Sequence, residues 1–157
     1  MKNPVRLLLR VPVPWVFVLA YLVGLIPQRL FPHPFLAPTA ARISVNVGIA
    51  IFLAGAVIAG WGLFLFYRAD TTTTPGESSR TFVTRGPYRF TRNPMYIGLT
   101  LAYLGEAAFL KQIWPLLLLP FVLFYLNWTV IPLEESRLSA SFGAAYDQYR
   151  SSVRRWL

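Results

Sequence analysis

Apolar residues run along this chain in four long blocks separated by short polar and basic connections. Val11 to Gln28 carries no charge and is bracketed by Pro12, Pro14 and Pro27, so a first span is expected over residues 11–31. The second block, Ile43 to Tyr67, is 25 residues without a charged side chain. At ~1.5 Å per residue it reaches ~37 Å, enough to cross a ~30 Å hydrocarbon core with some tilt. The third, Met95 to Leu110, has only 16 residues and contains Glu106. Its reach of ~24 Å makes it a short, tilted span or one arm of a hairpin. The fourth, Ile113 to Leu133, is interrupted by Pro115 and Pro120. Pro120 should kink it, which membrane helices tolerate where neighbours satisfy the freed carbonyl. Only Lys111-Gln112 separates the last two blocks, so residues 94–133 read as a helical hairpin.

After Leu133 the pattern changes. Leu138, Phe142, Tyr146, Tyr149, Val153 and Trp156 recur at steps of three and four, while Glu134, Arg137, Asp147 and Arg150 fall off that stripe. This predicts an amphipathic helix over residues 134–157 along the membrane interface, weakened at Gly143. Residues 68–93 form the longest connection, and Thr71 to Ser79 is polar and turn-rich. The fold class is therefore an all-α membrane protein in one domain, residues 1–157. It has about four transmembrane helices, the third short and paired with the fourth, plus a C-terminal amphipathic helix.

Composition agrees. The chain is 55% hydrophobic and 13% charged, against about a quarter charged in soluble domains. It has no Cys, which excludes disulfides, thiolate metal sites and a cysteine nucleophile. Its one histidine, His33, lies in Phe31-Pro32-His33-Pro34 and cannot make a zinc site alone, so no metal is expected. A net charge of +9 raises nucleic acid as a partner, but the basic residues cluster beside the apolar blocks, which is a topology pattern.

Twelve of the fifteen basic residues fall on one side of an alternating topology. They are Lys2, Arg6 and Arg10 before the first span, Arg68, Arg80, Arg85, Arg89 and Arg92 between the second and third, and Arg137, Arg150, Arg154 and Arg155 after the fourth. Arg29, Arg42 and Lys111 lie on the other side. Both termini are expected in the cytoplasm, with a bacterial inner membrane as the location. A cleaved signal peptide is the competing account of the first block, but Pro27, Arg29 and Pro32 interrupt the approach to any cleavage site.

Two places could carry chemistry. Arg85-Gly86-Pro87-Tyr88-Arg89-Phe90-Thr91-Arg92-Asn93-Pro94-Met95-Tyr96 contains a turn at Gly86-Pro87. Asn93-Pro94 then reads as an N-cap with Pro at the first helical position. A helix start beside Arg89 and Arg92 suits an anionic group, and topology charge plus a cap is the plainer account. The second place is Glu134-Glu135, directly after the fourth block. This acid pair could hold hydroxyls or an ammonium, act as a base, pair with arginine, or favour a helix first turn. No GxGxxG, P-loop or HExxH motif occurs, and no chain of intramembrane acids marks a proton-coupled transporter.

At these two places the sequence resembles the superfamily of isoprenylcysteine carboxyl methyltransferases and phospholipid methyltransferases. The resemblance runs from Thr72 to about Trp156. It is carried by Gly86-Pro87-Tyr88-Arg89-Phe90, by Arg92-Asn93-Pro94-Met95-Tyr96-Ile97-Gly98 with Leu101-Ala102-Tyr103-Leu104-Gly105, and by Glu134-Glu135, Leu138, Phe142-Gly143, Tyr146, Tyr149 and Arg154-Arg155-Trp156. It implies a membrane-embedded, S-adenosylmethionine-dependent methyltransferase. The cofactor would be bound by Tyr88, Arg89, Asn93, Pro94, Tyr96, Gly98, Glu134 and Glu135, with Arg92, Glu134 and Glu135 in catalytic roles. The acceptor would be a lipid or small apolar molecule, methylated on a carboxylate, amine or thiol. Asn93 stands where prenylcysteine enzymes usually have His, which argues against that substrate. A membrane reductase of related fold and a non-catalytic scaffold or transporter subunit are the alternatives.

Overall fold

The computed structural model describes residues 11–31, 38–68 and 82–157, and gives the backbone path alone for 38–43. Lys2, Arg6, Arg10, His33, Arg80 and the Thr71–Ser79 stretch lie outside the described residues. All regular structure among them is helical. The order is α1 (Val13–Leu30), α2 (Pro38–Arg68), a 3-10 turn (Gly86–Arg89), α3 (Pro94–Phe109), α4 (Ile113–Tyr125), a π turn (Leu126–Val130), α5 (Ile131–Phe142) and α6 (Ala144–Ser152). Three stretches are long and apolar enough to cross a membrane: Val13–Leu30, Ser44–Arg68 and Ile113–Phe142. At 16 residues α3 is not one of them.

The closest packing in the bundle is between α2 and α3, which run antiparallel. Gly48 and Gly55 of α2 meet Gly105 and Gly98 of α3 so tightly that no Cβ fits. A Cβ on Gly98 would lie 2.5 Å from the Ala59 nitrogen and 2.7 Å from the Gly55 carbonyl oxygen. In lipid the association of helices relies on close backbone approach, which small residues permit. The heptad spacing of Gly48, Gly55 and Gly62, matched by Gly98 and Gly105, was a legible signal that the periodicity of apolar residues hides.

The link between α3 and α4 is as short as expected. Lys111 takes a left-handed conformation (φ 56°), Gln112 N–H donates to Ala107 O at 2.8 Å, and Lys111 N–H donates to Ala108 O at 3.2 Å. That is a Schellman closure, which satisfies the last carbonyls of α3. The body of α4, however, packs mainly on α1, with Gly24 against the backbone of Pro115. Gln28 Oε1 accepts from Ile113 N–H at 3.0 Å and Trp114 N–H at 3.3 Å, so α1 satisfies free donors at the start of α4. Tyr21 O–H donates to Gln112 Oε1 (2.7 Å) and Tyr103 O–H to Pro115 O (2.6 Å).

The fourth block does not end as a helix at Leu133. The chain stays helical to Phe142 and breaks at Gly143, whose φ of 53° and ψ of −132° favour glycine. The π turn before it follows from Pro132. Proline has no N–H, and its ring clashes with the carbonyl four residues back, here Trp128. One wider turn relieves the conflict, and Ile131 N–H reaches Leu126 O instead. The aromatic stripe of the C-terminal segment also has a protein partner. Phe82 packs on Phe142, Tyr146 and Tyr149 with ring centroids 4.9, 5.9 and 5.9 Å away, which ties α6 to the connection before α3.

Candidate functional site

The start of α3, the 3-10 turn before it, the α5 segment and the last residues of the chain converge at one end of the bundle. Pro87, Tyr88, Thr91, Asn93 and Pro94 are all buried there. Asn93 occupies the N-cap position, but its side chain makes no capping bond. Its Nδ2 donates instead to Arg155 O at 2.9 Å, and Thr91 Oγ1 donates to the same carbonyl at 3.1 Å. Arg92 N–H donates to Arg154 O at 2.9 Å. The expected cap is therefore a clasp on the C-terminal segment. The reason is competition: the Arg155 carbonyl accepts from any donor in reach, and the Asn93 amide lies against it.

The acid pair divides its work. Glu135 is buried and accepts a two-pronged contact from Arg155, from Nε at 3.1 Å and from the terminal nitrogen at 2.7 Å. Arg92 meets the other flank of Glu135 at 3.0 Å, with only 11% of its side chain exposed. Glu134 faces a different partner, accepting from Tyr96 O–H at 2.6 Å. Two guanidiniums thus share one carboxylate and leave an excess of positive charge. The Arg92–Glu135 contact lacks hydrogen-bond geometry, and Arg92 Nε has no hydrogen-bond partner among the described residues. Buried donors left in this state ask for an acceptor.

Neighbouring phenols stay neutral. Burial pushes Tyr88 well above the ordinary phenol range, and the neighbouring Tyr149 and Glu134, whose ionised forms would repel a phenolate, push it further. Tyr149 rises to about 12, again mainly by burial, while Arg92 pulls it the other way. Tyr149 remains a donor and gives its proton to Tyr88 O at 2.8 Å.

Of the residues expected in a site, Arg92, Asn93, Pro94, Tyr96, Glu134 and Glu135 come together, with Tyr88 beside them. Two do not join them. Arg89 is exposed, and Gly98 faces α2, where its missing side chain lets the helices touch. Neither is placed to line a pocket with the others: Arg89 lies on the outer side of the 3-10 turn, and Gly98 belongs to the helix contact. Two residues of the cluster were not singled out from sequence. Arg155 reads from sequence as topology charge and as part of a terminal motif. Asn127, whose Oδ1 accepts from Trp156 Nε1 at 3.1 Å, is the one amide inside the fourth apolar block, and that isolation was its signal.

These features define an all-helical integral membrane protein with a buried, positively biased polar cluster at one end of its bundle. Comparison with family models gives the next step. Residues 43–145, about two thirds of the chain, match the model of the phospholipid methyltransferases, and the chain belongs to that family. Membership places it among the membrane methyltransferases. The matched span covers α2, the motif before α3 and the acid pair. No match was found among curated proteins or among solved structures.

Proposed function

We propose that this protein transfers the methyl group of S-adenosylmethionine to a lipophilic acceptor drawn from the bilayer. The observation that carries this reading is Arg92, buried beside Glu135 with a guanidinium of which Nε and one terminal nitrogen make no hydrogen bond among the described residues. The cofactor has a carboxylate, an ammonium, ribose hydroxyls and an aromatic base. Arg92 and the positive dipole end at the start of α3 suit the carboxylate. Glu134 suits a hydroxyl or the ammonium, and the faces of Tyr88 and Tyr96 suit the base. When bound, the cofactor supplies an electrophilic methyl group.

The chain's own residues then position and exclude water. Glu135 is committed to Arg92 and Arg155, so its role is to hold the two guanidiniums in place. Glu134, with Tyr96 as its one hydrogen-bond partner among the described residues, is the group left to take a proton from an amine acceptor. A carboxylate or thiolate acceptor needs no base. Pre-orientation and the low polarity of the surroundings supply the rest of the acceleration.

Binding of the cofactor should stabilise the detergent-solubilised protein. At ligand ~100-fold above its dissociation constant the linkage term is ~2.7 kcal/mol, a readily measured rise in melting temperature. A folded sample that binds neither S-adenosylmethionine nor S-adenosylhomocysteine by calorimetry would contradict the reading.

The orientation that fits this chemistry puts the polar cluster on the cytoplasmic side of a bacterial inner membrane, where the polar cofactor is available. The twelve-to-three division of basic residues supports it. Reporter fusions at residue 1, within Thr71–Ser79 and at residue 157 should all read cytoplasmic. An external signal from the middle fusion would reverse the topology.

A further inference from the structure

Arg89 stands in the motif before α3 and yet lies on the outer side of its 3-10 turn, away from the polar cluster. That turn is held at the boundary of the membrane. Gly86 lies so close to α2 that an added Cβ would be 2.9 Å from Leu65 and 3.3 Å from the Trp61 ring. Leu65 comes three residues before Arg68, where the second apolar span ends. At ~1.5 Å per residue the turn therefore sits only ~4.5 Å inside the end of that span, which is headgroup depth. Arg68 marks the same level, its guanidinium lying over the Phe64 ring at 5.3 Å from the centroid.

Arg85 and Arg89 flank the turn, and both are exposed. Phe90, beside Arg89, is 74% exposed. The hydrogen bonds from Thr91 to Arg155 O and from Arg92 N–H to Arg154 O bring the exposed Arg154 to the same edge. Among the described residues, Arg85, Arg89 and Arg154 make no ion pair. The acid pair does not serve them, since Glu135 is spent on Arg92 and Arg155, and Glu134 accepts from Tyr96. Like charges held together at headgroup depth favour an anion between them.

Two observations separate this patch from charge that only orients the chain. Orientation is served by lysine and arginine alike. From Arg68 onward, however, every basic residue at this end is arginine, and Lys111 lies at the other end. Arginine offers a phosphate a planar fork of parallel N–H donors, where lysine offers a point charge. The second observation is Phe90: an outward phenyl ring among arginines at this depth is the pattern of an interfacial anchor.

We propose that the Arg85–Phe90 turn, with Arg154 beside it, is a docking surface for an anionic phospholipid in the leaflet at this end of the bundle. The arginines receive its phosphodiester, and Phe90 lies among the first methylenes of its chains. The inference concerns the outer face of the motif and does not depend on the methyltransferase reading.

The test is native mass spectrometry of the full chain in detergent, titrated with phosphatidylglycerol to give a Kd for the first bound lipid. Arg85→Gln and Arg89→Gln should each weaken it about fivefold, the usual worth of one basic residue at an anionic surface. Arg89→Lys keeps the charge and should recover only part of the loss. Phe90→Ser should weaken binding at unchanged charge. Phosphatidylcholine, with the same phosphodiester but no net charge, should bind roughly tenfold more weakly or worse. Soluble glycerophosphoglycerol, the headgroup without chains, should not compete. Arg29→Gln removes an exposed arginine at the other end and should bind as wild type. Melting temperatures without lipid that match wild type show that each variant is folded. Equal losses in Arg29→Gln and Arg89→Gln would mean charge attraction without a site and would overturn the proposal. Competition by glycerophosphoglycerol would also overturn it, by revealing a free-anion site. So would weaker S-adenosylhomocysteine binding in Arg89→Gln than in wild type without lipid, which would return Arg89 to the cofactor site.

Discussion

Gly98→Leu should abolish accumulation of folded protein, and Gly60→Leu should not. The first substitution places a side chain where the Ala59 nitrogen and the Gly55 carbonyl lie within 2.7 Å of the Cβ alone. Both are backbone atoms of a long helix, so neither can swing aside. The helices must separate along their length, which forfeits the dispersion contacts that hold them in lipid. Overpacking in soluble cores costs ~1–3 kcal/mol where side chains can adjust, and a backbone clash removes that relief. Gly60 is on α2, the helix that Gly98 faces, but is exposed, with nothing within 4 Å of an added Cβ. Yield and monodispersity after detergent extraction read the difference. Normal recovery of Gly98→Leu would show that the α2–α3 contact is not what holds the bundle.

The second large effect is expected from Glu135→Gln, and its contrast with Arg92→Met separates architecture from ligand binding. Glu135 lies between two guanidiniums, with its side chain 6% exposed. Glutamine keeps the volume but leaves Arg92 and Arg155 facing each other without a counter-charge. Breaking a buried pair this way costs ~3–5 kcal/mol, a large part of the stability of a small domain. Arg92→Met removes a charge from the other end. Glu135 then keeps its two-pronged contact with Arg155, so thermal stability should stay near wild type. Affinity for S-adenosylhomocysteine should instead drop by ~10- to 150-fold, the equivalent of one charge-assisted hydrogen bond of ~1.5–3 kcal/mol. Wild-type stability in Glu135→Gln, or wild-type affinity in Arg92→Met, would remove the assigned division of roles.

Hydropathy alone determined that the chain is helical and lies in a membrane. A bilayer leaves no water for backbone groups, so an uncharged run of sufficient length has one solution. The spans expected over residues 11–31 and 43–67 correspond to α1 and α2 for that reason. Local chemistry also located the motif before α3 and the acid pair, because charged residues beside apolar blocks stand out in any window. Tertiary structure decided the rest. Whether Glu134 or Glu135 is free depends on Arg155, twenty residues from Glu135, returning over the motif, and no local pattern encodes that return. Asn93 looked like a helix cap because capping is a local preference, and a distant carbonyl outcompeted it. Gly98 looked like a pocket residue in the motif, and only the facing backbone of α2 shows why a side chain is excluded. Periodicity reports which face of a helix is apolar but not which neighbour covers it, since in lipid every partner, protein or acyl chain, is apolar. That choice falls to shape: glycines that let α2 and α3 touch, and Gly24, which lets α1 lie against the backbone of α4 at Pro115.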